Sequence, residues 1–111
     1  MLANSYFYVN KAGYFAAQAD YEMNQAAKHI TFAGSVQGVG FRFTACGVAR
    51  RCKLTGMVRN MPDGSVEMIA QGHPDDISDC VGDLQHTFAV KDTAVTDIPF
   101  NPRYTDFRIS Y

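Results

Sequence analysis

The sequence lacks an excess of charge of either sign. Its 111 residues carry 10 Lys and Arg against 11 Asp and Glu, so the surface offers no electrostatic footprint for nucleic acid or for an anionic membrane. No apolar run reaches membrane-spanning length, and no basic run precedes an apolar stretch as in a signal peptide. These absences predict a small-molecule partner, with no nucleic acid and no membrane. We also expect a monomer.

Cysteine is scarce. The three cysteines are an odd number and show no Cys-x-x-Cys spacing, which argues against a disulfide framework and against a structural zinc site. Cys46 and Cys52 lie six residues apart on a predicted helix, so they point in different directions and cannot share a ligand. The pattern favours a reducing, cytoplasmic location.

Recognisable catalytic acids and bases are also missing. His29, His73 and His86 are scattered, and no two have the spacing of metal ligands. Ser35 and Thr44 border a glycine loop, but neither has a neighbouring base that would make it a nucleophile. We therefore expect no metal, no cofactor and no catalytic histidine.

What the chain does have is a glycine-rich junction at residues 34–42, Gly-Ser-Val-Gln-Gly-Val-Gly-Phe-Arg, between a strand-like and a helix-like run. Gly38 and Gly40 let successive backbone N–H groups turn toward one point and let an anion approach the main chain. The helix N-terminus adds N–H groups and partial positive charge, and the planar fork of Arg42 matches two phosphate oxygens. The junction predicts a phosphate site.

The two common nucleotide signatures are absent from this junction. Phe43 stands where the third glycine of a dinucleotide fingerprint would fall, and no Gly-Lys-Ser/Thr follows. A nucleotide is therefore not implied.

Three ordered blocks carry a resemblance to a known family. They are Val-Gln-Gly-Val-Gly-Phe-Arg at residues 36–42, Gly-Met-Val-Arg-Asn at 56–60 and Asp-Gly-Ser-Val-Glu at 63–67. With this spacing the chain resembles the acylphosphatases from about residue 28 to residue 111. The resemblance implies a small βαββαβ sandwich that hydrolyses the carboxyl–phosphate bond of acyl phosphates without a metal.

The same resemblance implies roles for individual residues. The phosphate-binding residues would be Gln37, Gly38, Val39, Gly40, Phe41 and Arg42. Asn60 would orient the attacking water, and the products would be a carboxylate and inorganic phosphate. The lack of an acid or base fits this reaction, because a carboxylate leaving group needs little protonation.

The coarse secondary structure agrees with such a fold. Strands are predicted at residues 28–33, 56–60, 65–71, 95–100 and 106–111, and helices at residues 41–52 and from Pro74 to about Phe88. This is the ferredoxin-like α+β order, an antiparallel sheet with two helices on one face, plus a short C-terminal strand. Crossover handedness would bring the glycine loop beside the end of the second strand, so that Arg42 and Asn60 face one pocket.

Two positions depart from the family pattern. Lys53 stands where relatives commonly have glycine, at the end of the first helix, so we expect a positive φ or a different cap there. Met57 replaces a usual aromatic residue, which affects the packing of the second strand and not the chemistry.

Residues 1–27 form an extension outside the resemblance, and residues 28–111 form the expected domain. The extension is rich in aromatics and nearly uncharged, and its residues 12–27 include mostly good helix formers, so a short helix is predicted. Met23 leaves open an upstream start or a leader. A docked helix or an added strand is the alternative.

Two rival functions remain at this point. The ferredoxin-like fold hosts many functions, so a non-catalytic module that binds an anion or another ligand is one alternative. The other is an acylphosphatase-like domain that hands on carbamoyl groups within a larger maturation factor, although no zinc motif follows here.

Overall fold

The computed structural model describes residues 24–111 and, ahead of them, the backbone of two short strands. In chain order the elements are β1 (Phe7–Val9), β2 (Phe15–Ala17), β3 (Ala26–Ser35), α1 (Phe41–Arg51), β4 (Thr55–Asn60), β5 (Val66–Gly72), α2 (Pro74–Thr87), β6 (Ala89–Asp97) and β7 (Phe107–Ile109). From β3 onward this is the predicted order of strand, helix, two strands, helix and strand, followed by a short strand.

Five strands form one sheet in the order β6-β3-β5-β4-β7. β3 pairs antiparallel with β5 and with β6, and β5 pairs antiparallel with β4. β7 joins β4 in parallel, which makes the sheet mixed at that edge. The predicted ferredoxin-like fold is confirmed, and the parallel pairing brings the chain after β7 to the edge where β4 ends at Asn60.

Both helices pack on the same face of this sheet. The buried core contains residues of α1, residues of α2 and alternating strand residues, among them Ile30, Phe32, Val58, Val66, Met68, Ala70 and Phe107. A period of two places these strand residues on one face. The helices cover that face, and the opposite face carries charged side chains such as Arg59 and Glu67 together with Met57 and Ile69.

An aromatic cluster fixes the start of α1. Phe41 is 1% exposed, and its ring centroid lies 5.0 Å from that of Phe32 and 4.8 Å from that of Phe88. Gly40, which precedes it as the N-cap, has a left-handed conformation with φ 82°, which a residue with a Cβ adopts only at a cost. Together they determine where the loop becomes helix and where the first N–H groups point.

The end of α1 carries a left-handed lysine. Lys53 has φ 59°, its N–H donates to the carbonyl of Arg50, and the N–H of Leu54 donates to the carbonyl of Ala49, at 3.1 and 2.9 Å. These two bonds form a Schellman motif with Lys53 at the position that glycine usually fills. The positive φ expected from the sequence is confirmed.

Gly56 lets β4 lie between β5 and β7. It has φ 139°, and a Cβ added there would lie 1.9 Å from the carbonyl oxygen of Ile69. Any larger residue at this position would push β4 and β5 apart. The close approach keeps the end of β4, and with it Asn60, in a fixed place.

A buried glutamine holds the connection that leads into β7. Gln71 is 1% exposed; its side-chain nitrogen donates to the carbonyl of Asn101, and its side-chain oxygen accepts from the N–H of Asn101, at 2.9 and 2.7 Å. This pair of hydrogen bonds to the backbone fixes the loop between β6 and β7. It thereby sets the path by which β7 reaches β4.

Two predicted elements are corrected. The strand predicted at residues 95–100 starts at Ala89 and ends at Asp97, because its pairing with β3 extends along Lys28–Ser35 with a bulge between Ala33 and Gly34. The final strand is shorter than predicted and spans only Phe107–Ile109.

The prediction of a helix at residues 12–27 is wrong for the residues of this range that the structure describes. Phe15–Ala17 is a strand that pairs antiparallel with Phe7–Val9, and residues 26 and 27 belong to β3, where they pair with the end of β5. Pairing with neighbouring strands thus prevails over helix propensity. The rest of the predicted helix up to residue 23 lies outside the described residues.

Candidate active site

The glycine loop, the start of α1, the end of β4 and the chain around β7 surround one cavity of 220 Å³. Arg42 and Asn60, which are far apart in sequence, line the same cavity. The lining residues are Val36, Gly38, Gly40, Phe41, Arg42, Phe43, Asn60, Ile109 and Tyr111. Pockets for drug-sized ligands measure roughly 300–1,000 Å³, so this one suits a phosphate group with a small part of its substituent.

The start of α1 offers backbone donors to this cavity. The first intrahelical bond runs from Thr44 N–H to the carbonyl of Gly40, at 3.1 Å, so the N–H groups before Thr44 have no intrahelical acceptor. Gly40 provides no side-chain capping bond, and the first turn contains no acidic residue. An anion at this end of α1 would meet free donors and the positive end of the helix dipole.

The guanidinium of Arg42 lies beside an exposed aromatic ring. Its carbon Cζ is 5.3 Å from the centroid of the Tyr111 ring, within the range of a cation–π contact. Such a contact uses none of the hydrogen-bond donors of the arginine. The N–H donors of the guanidinium therefore stay available to an anion in the cavity.

Asn60 presents a buried acceptor that lacks a partner. Its side-chain oxygen Oδ1 is buried, and no hydrogen-bond partner for it exists among the described residues. Leaving a buried acceptor unpaired costs about 1–3 kcal/mol, and such groups in native proteins call for an explanation. An amide oxygen facing a cavity can accept a proton of a water molecule.

Gln37 connects the glycine loop to the β4–β5 turn. Its side-chain nitrogen donates to the carbonyl oxygens of Met61 and Ser65, both at 2.8 Å. We call this pair of bonds the Gln37 clasp. It holds the loop that follows β3 against the turn that follows Asn60, so the two halves of the cavity are fixed relative to each other.

The six loop residues implied by the resemblance do not all line the cavity. Gly38, Gly40, Phe41 and Arg42 do. The side chain of Gln37 is used in the clasp instead, and Val39, half exposed at 50%, is not among the lining residues.

The cysteines offer no reactive thiolate near the cavity. Burial raises the pKa of Cys80 to about 12, and burial together with the nearby Asp76 raises the pKa of Cys52. Cys46 is buried and its thiol donates to the carbonyl of Phe107 at 3.4 Å. No group of three His, Cys, Asp or Glu in the described part of the chain could hold a metal ion.

A larger depression of 760 Å³ lies on the open face of the sheet, and four of the charged side chains that line it are ion-paired. Glu67 accepts from Arg59 at 2.6 Å and lies 2.7 Å from His29 Nε2, and Arg108 pairs with Asp106 at 2.8 Å. The hydrogen bond with His29, with that of Arg59, lowers the pKa of the Glu67 carboxyl. Arg59 is exposed as well as ion-paired, and no residue of the glycine loop lines this depression.

Four residues of the cavity were not anticipated as site residues: Val36, Phe43, Ile109 and Tyr111. The predicted C-terminal strand gave no sign that Ile109 and Tyr111 reach the cavity. The place of these two residues depends on the parallel pairing of β7 with β4, which is a tertiary contact without a local signal.

The acylphosphatase family model matches residues 28–109. The chain belongs to the acylphosphatase family. An acylphosphatase of Marinobacter nauticus is 35% identical over 86 residues, which are 75% of this chain and 94% of that protein. The solved structure of an acylphosphatase from Coxiella burnetii superposes with a TM-score of 0.75 at 34% identity and covers 81% of this chain and 97% of its own.

This acylphosphatase-family chain is a hydrolase that splits acyl phosphates into a carboxylate and inorganic phosphate, and a non-catalytic binding module is not favoured. A structure of HypF from T. kodakarensis also resembles the chain, with a TM-score of 0.69 and 28% identity over 78% of this chain and 12% of that one. Among residues 24–111, no helix is long and apolar enough to cross a membrane.

Proposed function

We propose that the backbone of the glycine loop and the side chain of Arg42 hold the phosphoryl group of the substrate, and that Asn60 positions the water that attacks phosphorus. The observation that carries this proposal is the single cavity lined by Gly38, Gly40, Arg42 and Asn60. The free donors at the start of α1 and the cation of Arg42 would stabilise the charge of the phosphoryl oxygens.

The bonds that change in this reaction are the two phosphorus–oxygen bonds in line with each other. The oxygen of water bonds to phosphorus, and the bond between phosphorus and the acyl oxygen breaks, so that the carboxylate leaves with the bonding electron pair. The surplus proton of the water passes to a phosphate oxygen or to solvent. The buried Oδ1 of Asn60 would accept a hydrogen bond from this water and hold it against phosphorus.

Hydrolysis of acetyl phosphate in ¹⁸O-labelled water tests the point of attack. With a chelator present, the label is expected in inorganic phosphate and not in acetate. Label in acetate would show attack at the carbonyl carbon and would contradict the proposed role of Asn60.

Inorganic phosphate tests the binding half of the proposal. Because the cavity is proposed to recognise the phosphoryl end, phosphate should inhibit competitively and sulfate should do the same. Uncompetitive inhibition, or no inhibition by either ion, would mean that the glycine loop does not hold the phosphoryl group.

We also propose that residues 28–111 form the catalytic domain and that residues 1–27 add nothing to its site. Among the residues that the structure describes, those that line the cavity fall between Val36 and Tyr111, and the family match spans residues 28–109. Removing residues 1–22 should leave turnover within a few-fold of the parent. A truncated chain that stays folded by circular dichroism and loses its activity would refute this.

The remaining proposals concern the molecule in solution. We propose a cytoplasmic monomer that binds no nucleic acid, which the balanced charge and the three free thiols support. Light scattering during size-exclusion chromatography should give the mass of one chain. A dimer that holds all the activity would contradict the monomer.

A further inference from the structure

A groove continues from the active-site cavity along one side of α1. It has a volume of 560 Å³ and lies between α1 and the β7 edge of the sheet. Phe43 and Ile109 line both the cavity and this groove, so they mark the passage between the two. Beyond them the groove is lined by Cys46 and Gly47 and, farther along α1, by Arg50. We call it the acyl groove.

We propose that the acyl groove binds the acyl group of the substrate and selects acyl phosphates whose acyl group is an aromatic ring or a similarly compact apolar unit. The inference rests on the proposed function, because it takes the phosphoryl group to lie at the start of α1. From there the groove leads along the helix from Phe43 to Arg50, about 10 Å for seven residues at 1.5 Å each. That length accommodates a ring carried on a short spacer.

The near part of the acyl groove is apolar. Phe43 stands at its entrance with 80% of its surface exposed, and Ile109 faces the same entrance. An aromatic ring of the substrate could stack on the exposed ring of Phe43.

The far part of the acyl groove is charged. Arg50 donates through Nε to the carbonyl of Phe107 at 3.1 Å, and Arg108 is paired with Asp106. A long alkyl chain would have to lie against these charged groups. The groove therefore favours a compact apolar group that ends before them.

The walls of the acyl groove are held together by the main chain of β7. The thiol of Cys46 and Nε of Arg50 both donate to the carbonyl oxygen of Phe107, at 3.4 and 3.1 Å. These two donors lie on α1, so they fix the distance between α1 and β7. The groove is thus formed before a substrate arrives, which reduces the ordering needed on binding.

Gly47 leaves the middle of the acyl groove open. A Cβ added to Gly47 would meet only Nη1 of Arg51, at 4.0 Å, so a side chain here would extend into the groove instead of into the protein. Asn60 lines the cavity but not the groove. The residue proposed to hold water and the groove proposed to hold the acyl group thus belong to different parts of the site, as in-line displacement requires.

The test compares 3-phenylpropionyl phosphate with acetyl phosphate. Both release alkyl carboxylates of similar acidity, so a difference in kcat/KM reports the contact of the phenyl group. The parent should prefer the phenylpropionyl substrate by about 10-fold or more, the size of effect that apolar contacts give in specificity. Gly47→Leu should reduce this preference to within about twofold of unity, and Gly47→Ala should give an intermediate value.

Gly82→Leu is the matched control. Gly82 lies inside α2, a Cβ there would meet no atom within 4 Å, and the residue lines neither the cavity nor the acyl groove. Both leucine variants replace a helix-interior glycine by a better helix former, so melting temperatures should show that each is folded. Gly82→Leu should keep the parent's preference.

The outcomes separate this inference from the proposed function. A parent that hydrolyses acetyl phosphate but shows no preference, or a Gly47→Leu variant that keeps the full preference, overturns the acyl groove and leaves the phosphate site intact. A parent that hydrolyses neither substrate overturns the proposed function itself. A loss of preference in Gly47→Leu alone, with Gly82→Leu unchanged, supports the groove.

Discussion

Replacing Lys53 by glycine is expected to make the protein more stable than replacing it by alanine, by about 0.5–1 kcal/mol in the free energy of unfolding. Lys53 has φ 59° in the Schellman motif at the end of α1. For a residue with a Cβ, the left-handed conformation costs roughly 1–2 kcal/mol. Glycine avoids this cost but loses more chain entropy on folding, about 0.5–1 kcal/mol, and the difference is the expected gain.

The comparison with alanine isolates the backbone effect. Both variants lose the lysine charge near the negative end of the helix, so this charge cancels between them. Lys53→Asn should fall between the two, because asparagine tolerates the left-handed region better than alanine does. The difference of about 0.5–1 kcal/mol between Lys53→Gly and Lys53→Ala corresponds to a difference of roughly 2–4 °C in melting temperature.

Urea unfolding at 25 °C followed by circular dichroism measures these differences, with the m-value expected to stay constant. Lys91→Gly serves as a second control, since Lys91 is exposed in β6 and is not among the positive-φ residues; it should lose stability. If Lys53→Ala is as stable as Lys53→Gly, the positive φ carries no cost and the reasoning fails.

Three further predictions concern the site and the open face of the sheet. Arg42→Lys keeps the charge but loses the planar fork, so phosphate affinity should fall and turnover should fall by about 10²- to 10³-fold. Asn60→Ala should lose a similar factor in turnover but bind phosphate within a few-fold of the parent. Calorimetry beside steady-state kinetics distinguishes the two variants, and equal phosphate affinity in both would contradict the separate roles. Gln37→Met removes both hydrogen bonds of the clasp, so it should lower the free energy of unfolding by about 1–3 kcal/mol and raise KM. If the variant unfolds at the same urea concentration as the parent and keeps the parent's KM, the clasp does not position the loop. Hydrogen bonds from His29 and a neighbouring arginine lower the pKa of Glu67 below its usual 4.5. The ionised carboxylate therefore stabilises the folded protein fully above about pH 4.5, and this stabilisation is lost as the pH falls through the folded-state pKa. Glu67→Gln should therefore be less stable than the parent at pH 7, with a gap that narrows below about pH 4.5; a gap that does not change with pH would mean that the carboxylate's charge plays no part.

Local signals explain what the sequence predicts well. The glycine loop, the Pro-Asp-Gly turn between β4 and β5 and Pro74 at the first position of α2 each need a particular residue type at a particular place. At Lys53, where the resembling family commonly has glycine, the end of a predicted helix left either a positive φ or a different cap, and the structure has the positive φ. These features depend on a few neighbouring residues, so a single sequence contains them.

The missed features depend on contacts between distant parts of the chain. β6 is an edge strand that is exposed on most of its length, so it has no clean alternation, and its start at Ala89 follows only from pairing with β3. The ring of Tyr111 reaches Arg42 because β7 joins β4 in parallel. The amide of Gln37 was expected near phosphate. Only the fold shows that it donates its hydrogen bonds to two carbonyl oxygens of the β4–β5 turn.

The Gln37 clasp also bears on how neighbouring positions can vary during evolution. The hydrogen bonds of the clasp run from Gln37 to the backbone carbonyl oxygens of Met61 and Ser65, and every residue type supplies a carbonyl. The identities at these two positions are therefore free to change without a compensating change at position 37, provided that the turn keeps its backbone shape. We expect relatives to retain glutamine at position 37 while positions 61 and 65 vary. Co-variation between position 37 and these two positions should therefore be weak.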